Sequence, residues 1–259
     1  MWKLNVLLLI CLISAEESTI CVALPRKERI VGGSVVNINQ YPYAAVMLVS
    51  TNNAAFRQDC GGTILNNRSI MSAAHCWVGR HNTRFTVRIG STNANSGGVV
   101  HNVNRHITHP SYNVGGFMNN DIGIVRLATV ISFNNNVRAG SIAGSNFHLP
   151  DNTLVWSIGW GLTAWQGNLS EQLRHVQLRT TNQAECQRIY GSHAVNANMI
   201  CAGWHTDGRG SCTADSGGPL LHNHVAFGIV SFGTNCGQAR WPGVYTRVSR
   251  YTSWVQSNS

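Results

Sequence analysis

A series of short apolar runs, rich in β-branched and aromatic residues and interrupted by glycine and asparagine, restricts the fold most. The clearest runs cover residues 43–49, 85–89, 122–127, 154–158 and 225–232. Such runs of four to eight residues, bounded by turn residues, predict β-strands. Helical patterns occur only at 182–190 and 249–256. Many short strands with few helices predict an all-β sandwich or barrel.

Residues 1–15 have the pattern of a secretory signal peptide. Lys3 precedes a short apolar run at 4–13, and the small residues Ser14 and Ala15 follow it. This run is too short to span a membrane. We expect cleavage after Ala15, or alternatively after Ala23, and a secreted, extracellular protein with no membrane partner.

Composition excludes disorder and argues against a nucleic-acid partner. The chain is 43% hydrophobic and only 11% charged, which suits a packed core. From residue 30 onward it has 15 arginines, no lysine and 7 acidic residues, which gives a formal net charge of 15 − 7 = +8. Because the arginines are scattered, they do not form the basic stripe that nucleic acids require. Arginine keeps its charge above about pH 12, whereas lysine loses it near about pH 10.4.

Six cysteines follow residue 30, and an even number in a secreted chain predicts three disulfides. Sequence alone permits 15 pairings of six cysteines. The absence of a Cys-x-x-Cys pair argues against zinc. Of the two earlier cysteines, Cys11 would leave with the signal peptide, and Cys21 is either removed or free.

Three segments carry candidate chemistry, although each alone is ambiguous. They are 72–76 (Ser-Ala-Ala-His-Cys), 119–124 (Asn-Asn-Asp-Ile-Gly-Ile) and 215–220 (Asp-Ser-Gly-Gly-Pro-Leu). Asp and Ser beside Asn or Gly are ordinary turn residues, and the chain has 11 histidines. The order in which the three segments occur is what makes them informative.

In this order the segments resemble the chymotrypsin/trypsin family of serine proteases. So do Ile-Val-Gly-Gly at 30–33, Gly-Trp-Gly at 159–161 and Pro-Gly-Val-Tyr-Thr at 242–246. The resemblance covers residues 30–259, and the lysine-free composition is similar to that of digestive proteases of alkaline insect midguts. It implies two antiparallel six-stranded β-barrels, at about 30–138 and 139–259, with a C-terminal helix and an active site in the cleft between them.

The resemblance also implies the roles of the site residues. A serine hydroxyl needs an oriented base to act as a nucleophile. Ser216 corresponds to the nucleophile, His75 to the general base and acid, and Asp121 to the carboxylate that orients His75, supported by Ser231. The amides of Ala214 and Ser216 correspond to the oxyanion hole. The implied disulfides are Cys60–Cys76, Cys186–Cys201 and Cys212–Cys236.

Ala214 departs from the family, which normally has glycine there. If this position requires positive φ, alanine costs about 1 kcal/mol or more. The alternative to an active protease is therefore a catalytically weak homologue that binds protein partners.

The family's activation site falls at the Arg29–Ile30 bond, after a propeptide at 16–29. Cleavage by an activating protease would free the ammonium of Ile30, which pairs in the family with the carboxylate here contributed by Asp215. Because a buried carboxylate is costly unless paired, we expect a zymogen.

The expected substrate pocket (S1) has Gly210 at its floor beside Ser211, and Gly233 and Gly243 on its walls. Trypsin-like enzymes carry an aspartate at the floor, so a substrate cation would lack a counter-charge here. We expect apolar or broad specificity, as in arthropod serine collagenases. The alternative, Arg/Lys specificity, depends on whether Asp207 reaches the pocket.

We expect no cofactor and no metal. The family's calcium loop would lie at 90–103, where the chain has no carboxylate. The spacing of His101, His106 and His109 fits no common metal motif. The expected partners are protein or peptide substrates, an activating protease and protein protease inhibitors, and we expect a monomer.

Overall fold

The computed structural model describes residues 9–12, 20–23, 31–52 and 54–259, with side chains from residue 31 onward. Most of the expected signal peptide and propeptide, and the Arg29–Ile30 bond, lie outside these residues. Within the expected signal peptide and propeptide, the structure describes two short strands, β1 (Leu9–Leu12) and β2 (Ile20–Ala23), which pair antiparallel.

The first barrel closes through six antiparallel strands in the order β4-β5-β6-β9-β8-β7. Apolar side chains of these strands, among them Met47, Ile70 and Ile124, are fully buried. The strands are β4 (Ala44–Thr51), β5 (Arg57–Ile64), β6 (Ser69–Ser72), β7 (Thr83–Ile89), β8 (Val99–Thr108) and β9 (Gly123–Leu127).

The second barrel closes in the order β11-β12-β13-β16-β15-β14, with β14 pairing back to β11. A short strand, β10 (Ser141–Ile142), adds to β15 in parallel. The six barrel strands are β11 (Leu154–Gly159), β12 (Arg174–Thr181), β13 (Met199–Gly203), β14 (Pro219–His222), β15 (Val225–Phe232) and β16 (Gly243–Arg247).

Two helices complete the fold. Helix α1 (Gln183–Tyr190) begins where the Asn182 side chain accepts from the Glu185 amide, and it ends at Gly191 with φ +91°. Helix α2 (Thr252–Asn258) follows a 3₁₀ turn and buries Val255. The predicted all-β fold of two six-stranded barrels with a C-terminal helix is confirmed. None of the helices in the described part of the chain is long and apolar enough to cross a membrane.

The N-terminal segment joins the two barrels. Strand β3 (Ser34–Val35) pairs with Arg174 and His175 of β12, although it precedes the first barrel in sequence. Most buried apolar residues of the two barrels form one continuous core, and a smaller cluster surrounds the Cys186 and Cys201 side chains. The loops after β6, before β9 and before β14 meet where the barrels face each other, and these loops carry His75, Asp121 and Ser216.

Candidate active site

His75 lies in a 3₁₀ turn (Ala74–Cys76) that follows β6. The Cys60–Cys76 disulfide, with an S–S distance of 2.03 Å, holds this turn against β5. The backbone amide of His75 also donates to Asp121 Oδ1 at 2.9 Å. Both contacts fix the backbone of the turn, and the imidazole remains 17% exposed in the cleft.

Asp121 is completely buried, and three donors compensate its carboxylate. Its Oδ2 accepts from His75 Nδ1 at 2.6 Å and from the Ser231 hydroxyl at 2.6 Å, while Oδ1 accepts from the His75 amide. Because a carboxylate can only accept, the proton of a neutral His75 belongs on Nδ1. The other ring nitrogen, Nε2, is then free to take a proton, as a general base requires.

A set of side chains from the second barrel braces the loop before Asp121. Asn198 Nδ2 donates to Asn119 Oδ1 at 3.0 Å and to Asn120 Oδ1 at 3.3 Å. The Tyr251 hydroxyl donates to Asn120 Oδ1 at 2.8 Å. Asn120 has φ +56°, which asparagine tolerates better than most residues. The brace involves residues far apart in sequence, and no local motif indicated it.

Ser216 is positioned by a tight loop before β14. Its carbonyl accepts from the Gly61 amide at 2.7 Å, directly beside Cys60 of the disulfide that holds the His75 turn. Gly217 has φ +79°, and a Cβ there would lie 2.1 Å from the Ser72 hydroxyl, so this position requires glycine. The Ser216 hydroxyl lines the cleft without a hydrogen bond to any described residue. Catalytic hydrogen bonds are often long in ligand-free structures and shorten with substrate.

The same loop leaves two backbone amides without an acceptor among the described residues. The amides of Asp215 and Gly217 donate to Cys212 and Val230, whereas those of Ala214 and Ser216 donate to none of them. Two such donors beside a serine are suited to a developing oxyanion. Ala214 is buried with φ +70°, so the positive φ on which the expected cost depends is present.

Asp215 is 1% exposed and accepts from the amides of Gly161 at 2.8 Å and Cys212 at 2.9 Å. Burial raises the pKa of Asp215 to about 7, and these two hydrogen bonds oppose the increase. The carbonyl of Val31 accepts from the Gly210 amide at 3.0 Å, so the chain just after Ile30 lies against the pocket loop.

The pocket beside Ser216 is lined by all four predicted residues: Gly210, Ser211, Gly233 and Gly243. The Cys212–Cys236 disulfide joins its two walls. Ser211 and the buried Tyr245 exchange a hydrogen bond of 3.0 Å between their hydroxyls. A pocket with glycine on both walls is open to a large side chain.

No carboxylate lines this pocket among the described residues. Asp207, the acid left open by the sequence, is exposed outside it and accepts from the Ala239 amide at 2.7 Å. The charged residue in the lining is Arg209, whose guanidinium lies 4.3 Å from the centroid of the Trp204 ring. The pocket therefore offers no counter-charge to a cation.

The structure also contains the disulfide Cys186–Cys201, so all three bridges join the pairs that the resemblance implied. His75, Cys60 and Cys76 form the one potential metal cluster in the part of the chain that the structure describes. Because both cysteines are consumed by a disulfide, this cluster lacks the thiolates that a metal needs.

Comparison with known proteins agrees with this geometry. Residues 30–255 match the protein family described as Trypsin. The chain is 52% identical to "Trypsin CFT-1" of Choristoneura fumiferana, over 92% of this chain and 94% of the relative. It is 49% identical to "Trypsin, alkaline C" of Manduca sexta, over 97% and 99% of the two chains. It is 45% identical to "Achelase-1" of Lonomia achelous, over 89% and 100%.

Two β-barrels with a histidine–aspartate pair and a loop serine between them define a serine endopeptidase. This chain belongs to the trypsin family, and its relatives include insect trypsins described as alkaline. The predicted resemblance is thereby confirmed.

Proposed function

We propose that Ser216 attacks the peptide carbonyl while His75 Nε2 accepts its proton and Asp121 stabilises the imidazolium that forms. The Asp121–His75 contact of 2.6 Å carries this proposal, since it fixes the tautomer and leaves Nε2 as an acceptor. The amides of Ala214 and Ser216 stabilise the oxyanion. His75 then returns the proton to the leaving amine, and water hydrolyses the acyl-enzyme.

A fluorophosphonate probe tests this assignment on the processed chain. We expect covalent labelling of Ser216 together with turnover of peptide substrates, and neither in a Ser216→Ala variant. Ser211→Ala is a matched control, because Ser211 lines the same pocket without being the proposed nucleophile. Equal labelling of wild type and Ser216→Ala would refute the assignment. Probe labelling without turnover would favour the weak homologue that Ala214 suggested.

For specificity we propose that the S1 pocket prefers uncharged, apolar P1 residues, P1 being the substrate residue before the cleaved bond. Among the described residues no carboxylate lines the pocket, and Arg209 in the lining is positively charged. Both observations support this preference, because burying a cation without a counter-charge is unfavourable. Arg/Lys specificity is the second candidate, and the name trypsin of several relatives favours it. A panel of peptides with P1 Phe, Leu, Ala, Arg and Lys decides between them by kcat/KM.

We further propose a secreted digestive zymogen that is activated at Arg29–Ile30 and acts in an alkaline fluid. The apolar leader and three disulfides support secretion. The family position of Arg29 and the buried Asp215, which forms no ion pair with a described residue, support activation by cleavage. Blocking cleavage with Arg29→Gln should leave the chain inactive after trypsin treatment. Full activity of this treated variant would contradict the proposed activation site.

The lysine-free surface and the relatives described as alkaline support activity in an alkaline fluid. We expect the pH optimum of kcat/KM to lie above pH 8. An optimum near pH 6–7 with loss at pH 9–10 would count against this.

A further inference from the structure

Three arginines meet in a shallow cleft on the surface of the first barrel. Arg68, Arg105 and Arg126 line it together with Asn104 and Leu127. Arg68 immediately precedes β6, whereas His75 follows the other end of this strand. At about 3.3 Å per residue, the cleft lies roughly 15 Å or more along the strand from the His75 turn. It is therefore separate from the proposed active site.

A β-bulge places two of these arginines opposite each other. Val103 of β8 pairs with Leu127 of β9, so regular pairing would put Asn104 opposite Arg126. Instead the register shifts at Asn104, and Arg105 pairs with Arg126. Bulges redirect side chains in this way. Directly paired Cα atoms are only about 4.5–5.5 Å apart, and like charges at paired positions are destabilising.

Two hydrogen bonds within the barrel hold Arg126 and Arg68 in place. Arg126 donates to the hydroxyl of the buried Ser69 at 2.9 Å, which holds one face of its guanidinium. The carbonyl of Arg68 accepts from the Leu127 amide at 2.9 Å, which continues the pairing of β6 with β9. Arg105 of β8, Arg126 of β9 and Arg68 directly before β6 thus line the same cleft.

No acidic side chain of the described residues neutralises this cluster. The seven acidic side chains of the described residues are all engaged elsewhere, and neither the Arg68 nor the Arg105 guanidinium forms an ion pair or a hydrogen bond with a described residue. The carboxylate contacts are Asp59 with Arg80, Asp121 with His75, Asp151 with Asn182, Glu171 with Asn95, Glu185 with Arg188, Asp207 with Ala239, and Asp215 with Gly161 and Cys212.

We propose that this arginine cleft binds a tetrahedral oxyanion, either free sulfate or phosphate or a sulfate group of an anionic polysaccharide. Guanidinium groups bind such oxygens through paired hydrogen bonds, which makes arginine the usual residue for this recognition. A bound anion would also remove the repulsion between Arg105 and Arg126.

Two variant pairs of equal net charge test the proposal in the full chain. Arg68→Gln/Arg105→Gln removes two cleft charges. Arg57→Gln/Arg250→Gln removes two exposed arginines that do not line the cleft. The protein should be produced without N-linked glycans, because the possible acceptor Asn67 adjoins the cleft. Titration calorimetry at constant ionic strength measures binding of sodium sulfate and, separately, of a sulfated oligosaccharide.

We expect wild type and the Arg57/Arg250 pair to bind with equal Kd, and the Arg68/Arg105 pair to bind at least tenfold more weakly. If sulfate binds in a cleft-dependent way and the oligosaccharide does not, the cleft is a free-anion site. If only the oligosaccharide binds in a cleft-dependent way, the cleft is a polysaccharide site. Both results support the proposal. Equal Kd in all three proteins, an equal loss in both pairs, or no binding of either probe would overturn it.

Discussion

Replacing Ala214 with glycine should leave the stability of the protein nearly unchanged, although the change removes a buried methyl group. At φ +70° the Cβ of Ala214 is crowded by its own backbone, which costs roughly 1–2 kcal/mol. Burial of this methyl group returns at most about 0.8 kcal/mol. Glycine also adds an entropic cost of about 0.5–1 kcal/mol. These opposing terms nearly cancel, so we expect Tm to change by no more than about 3 °C in a domain of this size.

A matched control separates backbone strain from general effects of glycine. Ala226 is fully buried in β15 and is not among the residues with positive φ. Ala226→Gly loses the methyl burial and adds the entropic cost of glycine, about 0.5–1 kcal/mol, so its Tm should fall by roughly 3–7 °C. Scanning calorimetry of both variants, made in the inactive Ser216→Ala background, avoids autolysis. A fall in Tm for Ala214→Gly as large as that for Ala226→Gly would refute the strain argument.

The same substitution tests the oxyanion hole. If the alanine displaces the amide donor, Ala214→Gly in the active enzyme should raise kcat, and tenfold corresponds to about 1.4 kcal/mol of transition-state stabilisation. An unchanged kcat together with a Tm that does not fall would mean that the folded state bears the strain without displacing the amide donor.

Three further predictions concern the pocket, the buried acid and the loop brace. Gly233→Val should lower kcat/KM for substrates with P1 Phe at least a hundredfold and spare those with P1 Ala. Its Cβ would lie 3.7 Å from the opposite wall at Gly243 and would narrow the pocket. Gly144→Val is the control, because the added side chain there would meet open space. In the uncleaved chain the raised pKa of Asp215 should reduce stability as pH rises from about 4 to about 7, since the folded state holds a proton that the unfolded state releases. Urea unfolding with and without Asp215→Asn measures this, and identical pH profiles would contradict it. Asn198→Ala should lower kcat about three- to tenfold and leave KM unchanged, because it removes hydrogen bonds to the Asp121 loop worth about 1 kcal/mol. An unchanged kcat would show that this brace does not position Asp121.

The apolar runs predicted strands because a strand is a local pattern, whereas the arrangement of the strands in two barrels was implied by the resemblance to the family. The run at 225–232 coincides with β15, and the helical pattern at 182–190 begins one residue before α1. The candidate catalytic residues were also visible in the sequence, since His75, Asp121 and Ser216 lie in short motifs.

What the sequence did not reveal depends on contacts between distant segments. The brace from Asn198 and Tyr251 to the Asp121 loop needs the second barrel to be in place. The pairing of β3 with β12 is likewise a contact over long sequence separation. Backbone φ is also invisible in sequence: most of the non-glycine residues with positive φ are asparagines, and Ala214 is the single alanine among those described.

The pairing of β3 with β12 has a consequence for how a new chain end would behave. Residue 30 lies four positions before β3, and the carbonyl of Val31 is already held by the Gly210 amide. In the proposed activation, the new ammonium would adjoin Val31 at the pocket loop, so its docking on Asp215 would be intramolecular, at an effective concentration of roughly millimolar or higher. Peptide mimics of the free terminus, which must dock from solution, would need comparable concentrations to replace it.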